Sequence, residues 1–487
     1  MGLLDDRRWE GQIWRDGAWR AGRGGTREVL EPATGKVLGT IGLASADDVA
    51  DAAEAAANAQ SEWAAAPFHE RAAVLRRAGD LLHANAPEIE DWLVREAGSI
   101  RPKASFEIAV SAAECYEAAA LPSHPYGQLL ATADPRLSMA RRRPVGVVGV
   151  IAPFNVPLIL SMRSVAPALA LGNAAVLKPD HRTAVGGGAV LAALFEAAGL
   201  PAGVLQVLPG DAVAGQAVVE SPAVRVVSFT GSTRAGRAVG ELAARHLKRA
   251  HLELGGNSAM VVLEDADVAA AAGLAAWGSF FHQGQICMTT GRHLVAQPLV
   301  EEYVAALAAK AEALPVGDPA TGQVALGPVI DAVQRDRIHS MVESSVGAGA
   351  TVAAGGRYEE LFYRPTVLTG VSVDMPAYAE EVFGPVAPVL AFDSLDEAVG
   401  LAAATSYGLS LSVVTTDPLG ALELCERIPS GAVHINDQTV NDEAQIPFGG
   451  VGDSGTGARF GGAAANIEAF TDTQWVTMRR TPAVYPF

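Results

Sequence analysis

The stretch VRVVSFTGSTRAGRAVG, from Val224 to Gly240, decides the fold of this 487-residue chain. Its first half is mostly apolar and β-branched, which predicts a buried β-strand. Gly231 and Ser232 permit a tight turn at the end of that strand, and a helix that carries Gly236 follows directly. A strand that turns straight into a helix is the unit from which parallel sheets are built.

The same alternation continues on both sides of this stretch. GVVGVIAP, AAVLKP and GVLQVLP predict three further strands, and helical segments separate them. A second series of predicted strands follows the run HLELGG, near Ala259–Leu263, His293–Ala296, Val386–Ala391, Ser410–Thr415 and Ala432–Ile435. Strands that alternate with helices form parallel sheets covered on both faces. The sequence therefore predicts an α/β protein with two parallel-sheet domains.

The composition excludes several classes of protein. Hydrophobic residues make up 49% of the chain and charged residues 18%, which is typical of a well-packed globular protein. The formal net charge of −18 argues against nucleic-acid binding, which needs a basic surface. The sequence shows neither a run of about 18 apolar residues nor an N-terminal signal peptide, so we expect no membrane contact and a cytoplasmic location.

The cysteines are few and widely separated. Cys115, Cys287 and Cys425 form no CxxC pair, so the sequence predicts neither a disulfide framework nor a metal site. Cys287 differs from the other two because it lies in FHQGQICMTTGR, among polar residues and between two glycines. A single cysteine is most often a small buried hydrophobe, so this thiol alone does not identify a site.

Three other polar residues lie in notable positions. Glu253 ends a predicted strand before a glycine pair in HLELGGN, and Asn155 lies between two prolines after another strand in IAPFNVPL. Glu381 precedes Phe383 and a Gly-Pro turn in EEVFGPV. The Asn155 amide could donate to an oxyanion. Each residue also has an ordinary explanation: a surface glutamate, a capping asparagine and a loop glutamate.

The carboxyl ends of the predicted strands are the expected place for a ligand. Gly231 and Ser232 open a helix whose N-terminus offers donors to a phosphate. Lys178 in LKPD ends another strand and could bind a ribose or a phosphate, although it could equally be a surface lysine. The G-x-G-x-x-G run GVGDSG follows QIPFG instead of an apolar strand, so we interpret it as a structural loop.

Together these segments resemble the aldehyde dehydrogenase superfamily. The motifs PFNVPL, FTGST, LELGGN, GQIC, EEVFGPV and PFGG carry the resemblance, which extends from about Ile13 to Val476. It implies that Cys287 attacks the aldehyde carbon as a nucleophile and that Glu253 activates the water for hydrolysis. It also implies that the Asn155 amide and the Cys287 backbone N–H stabilise the oxyanion.

The resemblance implies NAD as the cofactor, in a Rossmann-type domain that lacks the usual glycine fingerprint. Lys178 would contact a ribose, Ser232 the pyrophosphate and Glu381 the nicotinamide ribose, with Phe383 packed nearby. The expected cofactor-binding residues are Lys178, Gly231, Ser232, Gly236, Glu381, Phe383, Phe154 and His181.

The chain departs from the family pattern in two places. His181 occupies the position of a glutamate that binds the adenine ribose and repels a 2′-phosphate, so we expect NAD to be used and NADP to be tolerated. A second glutamate, which relays protons in many relatives, is absent from the run Ala458-Arg459-Phe460.

Several longer segments resemble the benzaldehyde and vanillin dehydrogenase branch of the family. These are PFNVPLILSMRSVAPALALGN, LKPDHRTAVGGG and HINDQTVNDEAQIPFGGVGDSG, and they imply an aromatic aldehyde as substrate. The expected pocket consists of Val156, Ile159, Leu160, Arg163, Ile286, Met288 and Val440. Its mostly apolar character suits an uncharged ring. Arg163 could contact a polar ring substituent, but a structural ion pair is its expected role.

Other functions remain open at this level. A semialdehyde or aliphatic aldehyde dehydrogenase and a CoA-acylating relative would use the same thiol. His282 and His293 flank Cys287, so a thiol hydrolase is a further alternative, although it would not explain FTGST or EEVFGPV. A non-catalytic binding or structural protein on the same fold would be expected to lose Cys287 or Glu253, and both are present.

The resemblance finally implies a domain plan and an assembly. Residues 1–125 and 144–252 would form the cofactor-binding domain, and residues 253–467 the catalytic domain. Residues 126–143 and 468–487 would form a small β oligomerisation element that contacts a neighbouring subunit in a homodimer or homotetramer.

Overall fold

The computed structural model describes residues 2–4 and 7–487, so residues 1, 5 and 6 of the predicted N-terminal domain lie outside the described residues. The strands are β1 (Gln12–Arg15), β2 (Ala18–Ala21), β3 (Thr26–Leu30), β4 (Val37–Gly42), β5 (Gly127–Leu129), β6 (Leu137–Pro144), β7 (Val147–Ile151), β8 (Ala174–Lys178), β9 (Leu205–Val207), β10 (Val224–Thr230), β11 (Arg249–Glu253), β12 (Ser258–Val262), β13 (Thr290–Ala296), β14 (Thr351–Ala354), β15 (Tyr358–Glu359), β16 (Phe362–Tyr363), β17 (Thr366–Thr369), β18 (Val386–Phe392), β19 (Tyr407–Gly408), β20 (Ser410–Val414), β21 (Ala432–Ile435), β22 (Val451–Gly452) and β23 (Thr471–Met478). The α-helices are α1 (Ala46–Ala65), α2 (Phe68–Ala84), α3 (Ala86–Ala97), α4 (Arg101–Ala120), α5 (Pro157–Ala170), α6 (Val190–Ala197), α7 (Ala212–Glu220), α8 (Thr233–Arg245), α9 (Val268–Phe280), α10 (Val300–Ala313), α11 (Ala332–Gly347), α12 (Pro376–Ala379), α13 (Leu395–Ala403), α14 (Pro418–Cys425) and α15 (Ala463–Phe470).

The first large sheet has the strand order β11-β10-β7-β8-β9-β1-β2. Strands β7 to β11 are parallel, whereas β1 and β2 form an antiparallel edge. The chain proceeds from β7 outward through β8 to β9, and then returns to β10 on the other side of β7. This reversal between β7 and β10 is a topological switch point, where open α/β sheets bind their ligands.

The second large sheet has the order β14-β17-β18-β13-β12-β20-β21. All of its neighbours are parallel except β14, which pairs antiparallel with β17. The prediction of two α/β domains with parallel sheets is therefore confirmed, with one antiparallel edge added to each sheet. Strands β14 and β17 have no counterpart among the strands predicted from the sequence.

A third, antiparallel sheet stands apart from the other two. It has the order β23-β6-β5, and it joins residues near position 140 to residues near the carboxyl end of the chain. Its exposed apolar side chains include Leu129, Trp475 and Met478.

The hydrophobic core follows the sheets. On β12, Ala259 and Val261 pack into one apolar cluster while Met260 and Val262 pack into another, because successive side chains of a strand face opposite sides. Burial on both faces explains why these strands have continuous apolar sequences. In the part of the chain that the structure describes, none of the helices is both long enough and apolar enough to cross a membrane.

Candidate active site

The carboxyl ends of four neighbouring strands in the first sheet bring the predicted residues together. Glu253 is the last residue of β11, and Lys178 is the last residue of β8. Ser232 follows β10, and Asn155 follows β7. Parallel strands present their carboxyl ends at one edge, so side chains separated by up to 98 positions in the sequence lie along that edge.

Cys287 lies on a strained loop that joins α9 to β13. Three consecutive residues in this loop, His282, Gln283 and Gly284, have positive φ angles of 49°, 57° and 66°. Non-glycine residues rarely adopt this conformation, and such strain concentrates at functional sites. A side chain at Gly284 is excluded, because its Cβ would lie 2.1 Å from the Gly384 carbonyl oxygen. The loop therefore holds the thiol in a fixed position.

Hydrogen bonds from the neighbouring elements secure this loop. Gln283 Nε2 donates to the carbonyl oxygens of Gly98, at 3.0 Å, and Pro328, at 2.7 Å. Asn155 Nδ2 donates to the Gln285 carbonyl oxygen at 2.8 Å, which connects the asparagine to the cysteine loop. An amide nitrogen carries two protons, so Asn155 retains a second N–H for a ligand.

A buried ion pair on α4 fixes the backbone of Asn155. Lys103 Nζ donates to the Asn155 carbonyl oxygen at 3.0 Å and forms a salt bridge with Glu107. Glu107 also accepts from the Leu158 backbone N–H at 2.8 Å, in the first turn of α5. Lys103 and Glu107 are not among the site residues predicted from the sequence. Their spacing of four residues, which places both on one face of α4, is the signal that the sequence offers.

A small cavity is lined by both the thiol and the carboxylate. Its walls include Leu160, Arg163, Glu253, Cys287, Phe448 and Phe460. Leu160 and Arg163 belong to the predicted pocket, whereas Phe448 and Phe460 come from segments far along the chain. Most of its wall is apolar, and the two reactive side chains interrupt it.

The other predicted pocket residues lie outside the lining of this cavity. Ile286 and Met288 are buried in a small apolar cluster around Cys287, and Val440 packs against that cluster. Ile159 is fully buried, and Val156 is half-buried where α5 begins.

Electrostatics distinguish Glu253 from an ordinary carboxylate. Both of its oxygens are buried and accept no hydrogen bond of normal geometry from the described residues, although the Gly450 backbone N–H lies close enough to lower the pKa slightly. Burial raises the pKa of Glu253 well above its ordinary value, although Arg459 and Arg163 oppose the shift. A carboxylate whose pKa is raised by burial is a stronger base than an ordinary carboxylate.

The thiol is also held in its neutral form. Burial raises the pKa of Cys287 to about 12, and the carboxylates of Glu381 and Glu253 add to the shift. Arg163 is the cation that opposes it. Since a thiolate is the better nucleophile, Cys287 must lose its proton to a neighbouring base when it reacts.

The predicted cofactor residues form a second group on the same edge of the sheet. Ser232 is the N-cap of α8 and accepts from the Ala235 backbone N–H at 3.3 Å. Glu381 accepts from the Gly256 backbone N–H at 3.1 Å, and burial raises its pKa to about 7. A Cβ at Gly255 would lie 2.1 Å from a Glu381 oxygen, so a larger residue there would displace the Glu381 carboxylate.

Two aromatic rings pack against each other beside this group. The rings of Phe154 and Phe383 lie 5.9 Å apart in an edge-to-face arrangement. The Arg182 guanidinium lies 4.2 Å from the centre of the Phe154 ring and also forms a salt bridge with Asp331.

Lys178 and His181 lie beside several other charged residues. Burial lowers the pKa of Lys178, and it lowers the pKa of His181 as well. The cations Arg27, Arg182 and Lys178 lower the His181 pKa further, whereas Asp180 opposes them.

The remaining predicted cofactor glycines pack tightly against the end of the sheet. A Cβ at Gly231 would lie 2.7 Å from the Phe229 ring, and a Cβ at Gly236 would lie 2.2 Å from Leu254 Cδ2. These two positions exclude larger side chains and let α8 begin close to the strand ends. The run GVGDSG forms part of a loop that lies against the same edge, where Gly455 forms a β-bridge with Glu253.

Comparison with known proteins identifies the family of the chain. The model of the aldehyde dehydrogenase family matches residues 19–476. The chain is 67% identical to a vanillin dehydrogenase of Amycolatopsis sp. over 487 residues, which is all of both chains. It is 50% identical to a benzaldehyde dehydrogenase [NAD(+)] of Pseudomonas putida over 480 residues, which is 98% of each chain.

Solved structures show the same fold. The salicylaldehyde dehydrogenase of Pseudomonas putida G7, complexed with salicylaldehyde, has a TM-score of 0.94 and 35% identity and covers 98% of this chain and 99% of its own. Betaine aldehyde dehydrogenase of Staphylococcus aureus, in complex with NAD+, has a TM-score of 0.95 and 28% identity, with coverage of 99% and 97%. The extent of these matches over sequence and structure shows that the chain belongs to the aldehyde dehydrogenase family.

Proposed function

We propose that the protein oxidises an aromatic aldehyde to its carboxylic acid with NAD. The observation that carries the proposal is the apolar-walled cavity that contains a half-buried thiol and a buried carboxylate without partners. The substrate class is supported by the relatives named for vanillin, benzaldehyde and salicylaldehyde. An uncharged ring fits the cavity better than a charged substrate does, because its walls are mostly apolar.

Cys287 is the proposed nucleophile. Its sulfur forms a bond to the aldehyde carbon, while the thiol proton passes to water and the carbonyl oxygen gains negative charge. The second N–H of Asn155 and the Cys287 backbone N–H are the proposed donors to that oxygen. The hydrogen bond from Asn155 to the Gln285 carbonyl supports this role, since it fixes the amide beside the cysteine loop.

The residues present fit a dinucleotide. The N-terminus of α8, with Gly231 and Ser232, suits a pyrophosphate, and Lys178 and Glu381 suit the two riboses. Gly236 permits the close approach of α8, and Phe154 and Phe383 supply apolar surface for the nicotinamide end. When NAD is bound, it supplies an acceptor for the hydride that leaves the substrate carbon and so turns the thiohemiacetal into a thioester.

Glu253 is the proposed general base for the second half of the reaction. It removes a proton from water, the water oxygen bonds to the thioester carbon, and the carbon–sulfur bond breaks to release the acid. Its unpaired, buried oxygens support this role, because a carboxylate already bound by protein donors would be a weaker base.

We also propose that NADP is tolerated. His181 carries no fixed negative charge, and Arg27, Arg182 and Lys178 lie close enough to influence its pKa. A 2′-phosphate would therefore meet Arg27 and Lys178 at this position, whereas Arg182 is already paired with Asp180 and Asp331.

An anionic semialdehyde is a weaker candidate substrate. Such a substrate needs a free cation, and the cationic side chain in the cavity wall is Arg163. Arg163 already forms salt bridges with Glu114, at 2.9 Å, and Asp442, at 2.7 Å. Two carboxylates on one guanidinium disfavour a third.

The domain plan and assembly are further proposals. We assign residues 1–125 and 144–252 to cofactor binding, residues 253–467 to catalysis, and residues 126–143 and 468–487 to oligomerisation. The exposed Trp475, at 63%, and Leu129, at 77%, on the third sheet support burial in a homodimer or homotetramer. Three free cysteines support a reducing compartment such as the cytoplasm.

The test is to incubate the purified protein with benzaldehyde and NAD or NADP and to follow the absorbance of the reduced cofactor. We expect turnover with NAD, slower turnover with NADP, and none after Cys287→Ala. Activity on succinic semialdehyde or a long-chain aldehyde without activity on benzaldehyde would contradict the aromatic substrate and leave the mechanism intact.

A further inference from the structure

A glycine-rich loop, residues 449–459, lies across the end of β11. Its two ends are joined, because the backbone N–H of Phe448 donates to the Phe460 carbonyl oxygen at 2.8 Å and the N–H of Phe460 donates back at 3.0 Å. Both phenylalanine side chains line the cavity that Cys287 and Glu253 share. The loop is therefore closed at the wall of the active site.

The middle of this loop pairs with the strand that carries Glu253. Gly455 forms a β-bridge with Glu253, and the Leu254 backbone N–H donates to the Ser454 carbonyl oxygen at 2.9 Å. The Gly450 backbone N–H lies close enough to the Glu253 carboxylate to favour its charged form. The conformation of the loop therefore determines part of what surrounds the Glu253 side chain.

Arg459 fastens the loop from inside. Its Nη1 donates to the carbonyl oxygens of Gly450 and Ala458, each at 3.0 Å, so the side chain spans the loop. A Cβ at Gly449 would lie 2.7 Å from Nη1, so the absence of a side chain there makes room for the guanidinium. Arg459 is half-buried, and within residues 2–4 and 7–487 its Nε and Nη2 form neither a hydrogen bond nor an ion pair. Its positive charge is thus not neutralised by a carboxylate of the described chain.

The charges that act on Glu253 come from different elements. Burial raises the pKa of Glu253, and two cations oppose this shift, Arg459 on the loop and Arg163 on α5. Arg163 already forms salt bridges with Glu114 and Asp442, so much of its charge is neutralised. Arg459 is therefore the cation whose charge remains available to the carboxylate.

Two other titratable groups near Glu253 are neutral. Cys287 lines the same cavity, and burial raises the pKa of its thiol to about 12. On β11 itself, the rings of His251 and Phe460 have centres 5.8 Å apart, and burial lowers the pKa of His251 to about 4. Neither group carries a charge near neutral pH. Burial and Arg459 thus have opposite effects on the protonation of Glu253.

We propose that Arg459 is a positioning residue for the general base: it fastens the loop against β11 and holds a positive charge beside the Glu253 carboxylate during hydrolysis of the thioester. A base must be ionised before it can remove a proton from water, and burial without a cation favours the protonated carboxyl group. Arg459 transfers no proton itself, because a guanidinium is not deprotonated in proteins. This inference rests on the proposed role of Glu253 in hydrolysis and does not depend on which aldehyde is oxidised.

The experiment follows hydrolysis of an acyl-enzyme without aldehyde or cofactor. In the reaction with 4-nitrophenyl acetate, the Cys287 sulfur bonds to the carbonyl carbon, the thiol proton passes to water, and 4-nitrophenolate leaves. The first equivalent of nitrophenolate reports formation of the thioester. The steady rate that follows reports its hydrolysis to acetate, which restores the thiol. This steady rate is measured from acidic to alkaline pH, with Cys287→Ala as the blank.

The charge-removing variant is Arg459→Gln. We expect the acid-side limb of its pH profile to move to higher pH, because the Glu253 carboxylate loses its cation and its pKa rises further. The steady rate should fall about tenfold near neutral pH. At alkaline pH it should equal or exceed the wild-type rate, since Glu253 is then ionised in both proteins and is the stronger base in the variant. Arg459→Lys retains the charge and should retain the wild-type midpoint.

Arg237→Gln is the matched control for the loop. Arg237 on α8 holds the same loop through a salt bridge to Asp453 at 2.6 Å, but it is not one of the two cations that oppose the shift of Glu253. We expect its profile to keep the wild-type midpoint. If Arg459→Gln lowers the rate equally at every pH, its role is purely structural and the proposal is overturned. A profile identical to that of the wild type would overturn it as well.

Failure of the proposed function gives a different result. If the protein oxidises no benzaldehyde but the ester profiles differ as expected, the substrate class is wrong and the role of Arg459 stands. If benzaldehyde is oxidised and the midpoint does not move in Arg459→Gln, the proposed function stands and the role of Arg459 is overturned.

Discussion

Helix α4 presents two buried acids to α5, and their surroundings differ. Glu107 accepts from Lys103 and from the Leu158 backbone N–H, and Lys103 in turn donates to the Asn155 carbonyl. One heptad further along the helix, Glu114 accepts from Arg163, but Arg163 Nη1 retains an unused N–H. The first pair completes its main bonds within the protein, and the second leaves a donor at the cavity.

This difference separates structural polar groups from reactive ones. Groups whose hydrogen bonds all lie within the protein stabilise one conformation, and here they fix Asn155 and the start of α5. Groups left without partners at a cavity, such as Glu253, destabilise the free protein but remain available to substrate or water. Substitution should therefore affect stability at the first kind of group and activity at the second.

The largest expected effect belongs to Glu253. In Glu253→Gln the hydrolytic water loses its base, and we expect steady-state turnover of benzaldehyde to fall about 10²- to 10⁴-fold. Formation of the thioester precedes this step, so rapid mixing with NAD should still show one equivalent of reduced cofactor. Urea unfolding at a pH above the raised pKa should show unchanged or increased stability, since the neutral amide carries no charge to bury. Loss of the initial burst together with turnover would contradict this assignment.

Lys103 belongs to the fully paired group, so its substitution is expected to reduce stability. Lys103→Met leaves Glu107 buried without its cation, so we expect the free energy of unfolding to fall by about 3–5 kcal/mol. Adding Glu107→Gln should restore much of the loss, because no unpaired charge remains. Denaturant titration of the two single variants and the double variant measures this coupling. Independent, additive losses would show that the buried pair is not a unit.

The pH dependence of stability sharpens the comparison. The pKa of Glu253 is raised in the folded protein from an ordinary value near 4.5, so its protonated form is the one that folding favours. Its contribution to stability is fully present below the unfolded pKa and is lost as pH rises through the raised folded pKa. We expect the wild type to lose stability relative to Glu253→Gln over that range, as measured by thermal unfolding at a series of pH values. Parallel curves would contradict the raised pKa.

Much of this arrangement could be predicted from sequence, for a definite reason. Glu253 and Lys178 end strands and Asn155 follows one, and parallel strands end at a common edge, so the local pattern predicts where these residues lie. Their grouping into one site came from the resemblance to the aldehyde dehydrogenase family, because each residue alone also has an ordinary structural explanation. The roles assigned to these residues stay predictions until variants are assayed.

The cavity wall required tertiary structure. Phe460 lies beside Glu253 although 207 positions separate them in the sequence, and no local period links the two. The unpaired atoms of Arg163 and Asp442 depend on where three separate segments meet. Sequence predicts which residues follow a strand, but not which of their hydrogen bonds the folded chain leaves unmade.

The smallest effect is expected at His181, which is half-buried instead of enclosed. His181→Glu places a negative charge beside the expected 2′-phosphate, so we expect the NADP-to-NAD ratio of kcat/KM to fall about tenfold, since solvent screens part of the repulsion. His181→Gln removes the imidazole without adding charge and serves as the matched control. If both variants reduce the ratio equally, the imidazole itself binds the phosphate. If neither changes it, the cations around this position do not contact the adenine ribose, and tolerance of NADP must arise elsewhere.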